Sequence, residues 1–201
     1  MIALDPILPV IVIDRAEDAE PLGRALLAGG IRQAEITLRT PAALDALRLM
    51  AGIPGMRAGA GTVLDARQAE AVLDAGASFV VSPGLAEDVV AVCAERGVAV
   101  VPGVATATEV MRARRLGLRT VKFFPAESSG GTAALSALAS VFPDMRFVPT
   151  GGIDGTRARD YAALPSVVAV GGSWMVPRAA IAAGDFALVE ELCRGAMEAL
   201  G

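Results

Sequence analysis

The regular alternation of short apolar runs with amphipathic segments most constrains the fold of this sequence. Eight runs rich in β-branched residues predict strands, and each is followed by a segment of helical periodicity rich in Ala, Leu, Glu and Arg. We predict strands at 8–13, 34–38, 56–61, 78–82, 98–103, 120–125, 146–151 and 167–172. We predict helices at 17–28, 41–51, 65–75, 86–96, 106–116, 130–141, 155–163 and 185–199.

Strand–helix units of roughly 22 to 26 residues predict an α/β fold, a (β/α)8 TIM barrel that forms a single domain over residues 1–201. A doubly wound open sheet is the structural alternative, because periodicity alone does not show whether the sheet closes. In a barrel, the loops at the carboxyl ends of the strands carry the chemistry.

Capping signals support several of the predicted helix ends. Thr40 stands directly before a proline, and Thr106 stands three residues before Glu109, as in a capping box. Gly97 and Gly117 follow predicted helices, where glycine commonly ends them.

Composition excludes several classes of function. The sequence has no histidine, which removes His-based zinc sites and Ser-His-Asp or Cys-His nucleophiles. A net charge of -4 without a basic, aromatic-rich block argues against a nucleic-acid partner. No apolar window approaches the length of about 18 residues that spans a bilayer, and the apolar start predicts a first strand rather than a signal peptide. Cys93 and Cys193 lack metal-ligand spacing, so we expect reduced core thiols in a soluble, cytoplasmic protein without a membrane partner.

Lys122 is the only lysine in the sequence, and it lies in the middle of the sixth predicted strand. Strand alternation places Lys122 and Phe124 on one face and Val121 and Phe123 on the other, which turns Lys122 toward the barrel interior. An apolar interior favours the uncharged amine, a nucleophile toward carbonyl groups, whereas arginine stays protonated. The position therefore indicates a nucleophilic lysine. The alternative is a surface lysine whose stem packs on the protein while its ammonium stays in water.

Glu35 lies inside the second predicted strand, where a carboxylate needs a partner or a chemical task. Alternation puts Glu35, Thr37 and Arg39 on the same side of that strand. A plain buried ion pair between Glu35 and Arg39 is the competing interpretation. Thr62 ends the third predicted strand, where its hydroxyl suits either a ligand or the cap of the next helix.

Glycine pairs follow the seventh and eighth predicted strands, in the segments PTGGID and VGGSWM. In TIM barrels these two loops often hold a phosphate group together with a helix N-terminus. Gly151, Gly152 and the pair at 171–172 allow backbone N–H groups to approach an anion, and Thr150 and Ser173 add hydroxyl donors. Glycine pairs also form tight turns, but two such loops at both expected places favour a phosphate site.

The sequence resembles the 2-keto-3-deoxy-6-phosphogluconate (KDPG) aldolases, whose wider family includes 4-hydroxy-2-oxoglutarate aldolases. The resemblance covers nearly the whole chain and rests on the motifs PVIVID, AEITLRT, GAGTVL, SPG, VPGVAT, KFFPAE, PTGGI and VGGSWMVP, in this order. Each motif alone is weak, but KFFPAE together with GAGTV and GGSW is highly specific.

This resemblance implies a class I aldolase that needs no metal or other cofactor and acts on a phosphorylated keto acid, typically as a homotrimer. It implies that Lys122 forms the Schiff base and that Glu35 is the general acid and base. It assigns Arg39 and Thr62 as ligands of the pyruvate portion of the substrate, and it makes Pro83 and Phe124 walls of the pocket. Those that it assigns to the phosphate are Thr150, Gly151, Gly152 and Ser173.

Some relatives place a basic residue just after the first strand to help bind phosphate. Asp14 and Arg15 stand there in this chain, and neither is assigned to the site.

Other functions remain open from the sequence. The same Schiff-base chemistry suits the galactonate epimer of the substrate or 4-hydroxy-2-oxoglutarate, because the glycine loops cannot recognise the configuration at C4. A phosphosugar isomerase or a non-catalytic sugar-phosphate sensor uses the same fold without forming an imine.

Overall fold

A computed structural model describes residues 4–200, over which parallel strands alternate with helices. The strands are β1 (Ile7–Ile11), β2 (Gln33–Thr37), β3 (Arg57–Gly61), β4 (Phe79–Val81), β5 (Ala99–Val101), β6 (Gly103–Val104), β7 (Thr120–Phe123), β8 (Arg146–Pro149) and β9 (Val170–Gly172). The α-helices are α1 (Ala19–Ala28), α2 (Ala43–Ala51), α3 (Ala66–Asp74), α4 (Glu87–Glu95), α5 (Ala107–Arg115), α6 (Gly131–Val141), α7 (Gly155–Ala162), α8 (Arg178–Ala183) and α9 (Phe186–Leu200). None of the helices in this part of the chain has the length and apolar character needed to cross a membrane.

Each of the eight predicted strands overlaps an observed strand. The fifth, predicted at 98–103, is split into β5 and β6 at Pro102, because proline has no N–H for the ladder. The eighth is shorter than predicted, since β9 begins at Val170 and an isolated bridge alone pairs Val167 with Phe147. Sequence analysis missed α8, whose six residues are too few to show a helical period.

The strands close into a ring, as predicted for a (β/α)8 barrel. One sheet has the order β5-β4-β3-β2-β1-β9, and a second has the order β6-β7-β8. Bridges between Phe147 and Val167 and between Thr150 and Gly171 join the two sheets on one side. On the other side, Pro102 alone separates β5 from β6. With β1 lying between β2 and β9 and the bridges joining β9 to β8, every strand has a neighbour on both sides, so the open-sheet alternative is wrong.

The observed helix caps match those predicted from the sequence at some positions and differ from them at others. Thr106 and Glu109 form the predicted capping box at the start of α5. Gly97 and Gly117 have φ of 67° and 80°, so the predicted glycine ends are confirmed. Thr40 does not cap α2, because its hydroxyl donates to the carbonyl of Ile13 instead.

The barrel strands bury two faces. Outward residues such as Val121, Phe123 and Phe147 pack against Leu135 of α6 and Tyr161 of α7. Inward residues alternate with them along the strands and form a separate apolar cluster of Leu8, Phe79, Val81, Val101, Val148 and Ala169. Alternation turns a second inward set toward the same space, and these buried polar residues are Gln33, Glu35, Thr37, Thr120, Lys122 and Thr150.

Candidate active site

Lys122 and Glu35 meet inside the barrel. The Nζ atom of Lys122 lies 3.1 Å from Oε1 and 3.4 Å from Oε2 of Glu35. The lysine is 4% exposed and the glutamate 0%. Because β7 and β2 stand on opposite sides of the ring, this contact crosses the interior. The alternative of a surface lysine is therefore wrong.

In the buried pair, the Lys122 amine and the Glu35 carboxylate lie close enough to exchange one proton. Transfer of the proton from Lys122 to Glu35 leaves a free amine and a carboxylic acid. These are the forms that attack on a carbonyl group and the later loss of water require. Within residues 4–200, no group of three or more His, Cys, Asp or Glu side chains is placed to hold a metal ion.

Gly61 leaves the space that the Glu35 carboxylate occupies. A Cβ atom at position 61 would lie only 2.1 Å from Oε1 of Glu35. Gly61 is the last residue of β3, which pairs with β2 in register. The missing side chain therefore lets the carboxylate lie between β2 and the centre of the barrel. Sequence analysis gave Gly61 no task, although the alternating glycines of RAGAG in a strand are a usable signal of close approach.

Phe124 and Pro83 lie close to the lysine. The Lys122 Nζ atom is 5.2 Å from the centroid of the Phe124 ring. Gly103 pairs with Lys122 between β6 and β7, and a Cβ atom at Gly103 would lie 2.0 Å from the carbonyl oxygen of Pro83. An aromatic ring thus lies near the amine, and the Pro83 backbone lies beside Gly103, the residue that pairs with Lys122.

Arg39 and Thr62 meet beyond the ends of β2 and β3. The Nε atom of Arg39 donates a hydrogen bond to Oγ1 of Thr62 over 3.2 Å. Arg39 is exposed, and among the described residues the Glu35 carboxylate pairs with Lys122 and not with Arg39. The competing interpretation of a buried pair between Glu35 and Arg39 is therefore wrong.

Thr62 does not cap α3. That helix is capped by Asp65, whose side chain accepts a hydrogen bond from the backbone N–H of Gln68 over 2.7 Å. Thr62 itself has φ of 59°, which is unusual for a β-branched residue. The Thr62 backbone is therefore strained, and its hydroxyl lies beside an exposed arginine. Such backbone strain is typical of binding positions.

We expect Thr62→Gly to be more stable than Thr62→Ala by about 1 kcal/mol, because glycine adopts this positive φ without strain. Urea unfolding measures the difference. At Thr108, which is exposed in α5, the same two substitutions should show the ordinary order with alanine the more stable. A Thr62→Ala variant as stable as Thr62→Gly would contradict the interpretation that the backbone is strained at Thr62.

The two glycine loops lie next to each other. Gly151 and Gly152 have φ of 104° and 78°, and the bridge between Thr150 and Gly171 joins the loop after β8 to β9. A Cβ atom at Gly171 would lie 2.2 Å from Oγ1 of Thr150, so this glycine makes room for the threonine. Ser173 follows β9 and is exposed. The structure thus places the four residues assigned to phosphate at one end of neighbouring strands.

Arg15 is engaged by other groups. Its guanidinium donates to both carboxylate oxygens of Asp18 at 2.9 Å and to the carbonyl of Ala182 at 3.2 Å. Asp14 accepts two hydrogen bonds from Arg178. These contacts fasten α8 to the segment after β1.

One acidic residue near the glycine loops was missed by sequence analysis. Glu127 belongs to the motif KFFPAE, yet it follows β7 in a turn, where acidic residues are common and carry no particular signal. Its carboxylate contacts Tyr161 and Arg157 of α7. Only the folding of α7 against this turn reveals these contacts.

Comparison with known proteins places this geometry in a family. A profile described as KDPG and KHG aldolase matches residues 1–192. The chain belongs to the KDPG and KHG aldolase family. It is 47% identical over 194 residues to the KHG/KDPG aldolase of Escherichia coli K12, covering 96% of this chain and 91% of the relative. It is 51% identical over 193 residues to the 2-dehydro-3-deoxy-phosphogluconate aldolase of Pseudomonas aeruginosa, covering 96% and 88%.

A solved structure of the family is similar over nearly the whole chain. The KDPG aldolase of Legionella pneumophila superimposes with a TM-score of 0.93 at 44% identity, covering 96% of this chain and 94% of the other. That structure holds pyruvate captured as a covalent carbinolamine intermediate. The sequence resemblance to the family is therefore confirmed.

Proposed function

We propose that this protein is a class I aldolase, a lyase that reversibly cleaves KDPG to pyruvate and glyceraldehyde 3-phosphate in the Entner–Doudoroff pathway. The observation that carries the proposal is the contact of 3.1 Å between the only lysine and the Glu35 carboxylate inside the barrel. The carbinolamine of the Legionella relative supports it, because a carbinolamine is the adduct of an amine and the pyruvate ketone.

The first half of the reaction builds the imine. Glu35 takes the proton of Lys122, and the free amine adds to the C2 ketone of the keto acid. A proton moves from the added nitrogen to the oxygen to give the carbinolamine, and Glu35 then returns its proton to the carbinolamine hydroxyl, which leaves as water. The product is a protonated imine that withdraws electrons from the neighbouring carbon atoms.

The second half breaks the bond between C3 and C4. Glu35 removes the proton of the C4 hydroxyl, and the electrons of the broken bond move into the imine to form an enamine. Glyceraldehyde 3-phosphate leaves. Protonation at C3 and hydrolysis of the imine release pyruvate and restore Lys122.

Binding groups lie around this pair at the carboxyl ends of the strands. Arg39 supplies a planar fork suited to the substrate carboxylate, and Thr62 supplies a hydroxyl. Pro83 and Phe124 form the walls of the pyruvate pocket. At the phosphate end of the substrate, the proposed contacts come from Thr150, Gly151, Gly152 and Ser173.

A coupled assay of pyruvate release tests the substrate. We expect KDPG to have the highest kcat/KM, and the unphosphorylated keto acid to lose about 100-fold, because it leaves the charge-assisted phosphate contacts unmade. The galactonate-derived epimer and 4-hydroxy-2-oxoglutarate are the comparison substrates. Faster cleavage of either would identify it as the preferred substrate, and no pyruvate from any of them would contradict an aldolase.

We also propose a homotrimer in the cytoplasm. The trimer rests on the assembly typical of the family, and light scattering of the purified protein would contradict it by giving a monomer mass.

The proposed location in a reducing compartment agrees with the two free, buried cysteines. Burial raises the pKa of the Cys93 thiol to about 11 and that of Cys193 to about 12, which keeps both unreactive.

A further inference from the structure

The Glu127 carboxylate joins the turn after β7 to helix α7. Its Oε1 accepts a hydrogen bond of 2.6 Å from the Tyr161 hydroxyl, and its Oε2 lies 3.3 Å from Nε of Arg157. Tyr161 is 1% exposed and the Glu127 side chain is 33% exposed. Burial and the hydrogen bond to Glu127 both raise the pKa of Tyr161, so the phenol stays a donor. Both oxygens of the carboxylate are therefore engaged by the helix that follows the first glycine loop.

The same residue contacts the glycine turn directly. The backbone N–H of Glu127 donates to the carbonyl of Gly151 over 3.1 Å. A Cβ atom at Gly152 would lie 2.9 Å from both Cβ and Cγ of Glu127, so the side-chain stem packs on this glycine. Arg157 donates in turn to the carbonyl of Gly152 over 3.3 Å. The turn is thus enclosed by Glu127 and by the arginine that Glu127 holds.

These contacts fix a segment that would otherwise be free to move. Gly151 and Gly152 both have positive φ, and glycine has more accessible backbone conformations than any other residue. A turn that presents backbone N–H groups to an anion binds well only when those groups already point the right way. Because glycines supply no side chain for their own anchoring, the anchoring must come from neighbours.

We propose that Glu127 is a positioning residue that holds the Gly151–Gly152 turn in the conformation that binds the phosphate of the substrate. This inference rests on the proposed function, since it takes the turn as the phosphate site. It gives Glu127 no part in imine chemistry.

The direction of the change in phosphate affinity distinguishes a positioning role of Glu127 from a purely electrostatic one. A carboxylate near a phosphate repels it, so neutralising Glu127 without any loosening of the turn would strengthen phosphate binding. If Glu127 positions the turn, its neutralisation weakens binding instead. We expect Glu127→Gln to raise KM for KDPG about fivefold with kcat nearly unchanged.

The experiment compares Glu127→Gln and Tyr161→Phe with a matched control, Glu87→Gln. Glu87 pairs with Arg112 of α5 over 2.7 Å and, like Glu127, joins two elements, but it contacts neither glycine loop. Amide hydrogen exchange of the peptide around 150–155 measures the order of the turn. Steady-state kinetics and inhibition by inorganic phosphate measure the phosphate site, and borohydride trapping with pyruvate measures the imine.

Support for the inference is faster exchange at 150–155 and about fivefold weaker phosphate inhibition in both variants, with trapping and the control unchanged. Unchanged exchange in the variants would overturn it. Faster exchange with unchanged KM and phosphate inhibition would also overturn it, because the turn would then not be the phosphate site. Equal losses of trapping and phosphate binding would also overturn the inference, because they would show a general structural role of Glu127. Failure of the proposed function is visible separately, as wild-type protein that traps no pyruvate.

Discussion

Borohydride added with pyruvate is expected to label this protein irreversibly at Lys122, and Lys122→Arg is expected to abolish both labelling and turnover. Only an amine that loses its proton can attack the ketone, and a guanidinium stays protonated. Turnover should fall by about 10⁴-fold or more, as for the loss of other covalent nucleophiles. Because the sequence has no second lysine, a labelled lysine-containing peptide is assigned without ambiguity. Mass spectrometry of the digested protein measures the label.

Lys122→Met is the companion variant for this experiment. It keeps the length and apolar stem of the side chain without an amine, so a folded Lys122→Met protein without activity separates lost chemistry from lost structure. Persistent turnover in either variant would end the assignment of Lys122. Binding of a sugar phosphate by wild-type protein without any trapping would instead favour the isomerase or sensor.

Glu35→Gln is expected to slow the exchange of pyruvate methyl protons with solvent by about 10²- to 10⁴-fold, the usual contribution of a placed acid–base group. Glutamine keeps the shape of the side chain but cannot take the proton. Proton NMR of pyruvate in heavy water follows the exchange directly. The substitution also leaves the Lys122 ammonium without its charged partner, and breaking a buried pair typically costs about 3–5 kcal/mol. The exchange must therefore be measured where circular dichroism shows folded protein.

Thr37→Val is the matched control for the Glu35 variant. Thr37 lies on the same face of β2 and is also buried. Its hydroxyl donates a hydrogen bond to the backbone carbonyl of Ile11 over 2.7 Å. Its substitution disturbs the same strand without removing a carboxylate, so exchange should stay near the wild-type rate. Wild-type exchange in Glu35→Gln would remove Glu35 as the base.

The sequence predicted the barrel and its two central residues for a shared physical reason. A charged residue within an apolar strand breaks the expected pattern, and Lys122 and Glu35 each do so. Their contact was beyond prediction from the residues alone, because they are 87 positions apart and meet only when β2 and β7 face each other across a closed ring. Alternation shows which side of a strand a residue faces, but it does not show what lies opposite.

Several features of the candidate site have little or no local signal. The positive φ of Thr62 and its bond to Arg39 depend on how the segments after β2 and β3 meet. Strand β2 buries Gln33 and Thr37 beside Glu35, and nothing in their sequence spacing separates the side chain that contacts Lys122 from the two that bind the backbone. Glu127 gains its partners only from the packing of α7.

The ring arrangement of β2 and β7 divides the chemistry between the two halves of the chain. The carboxylate comes from the first four strand–helix units, and the amine comes from the last four. A fragment that ends after α4 would hold Glu35 without Lys122, and its complement would hold Lys122 without Glu35. Under the roles proposed for these two residues, carbon–carbon cleavage is a property that the polypeptide acquires only when its two halves join.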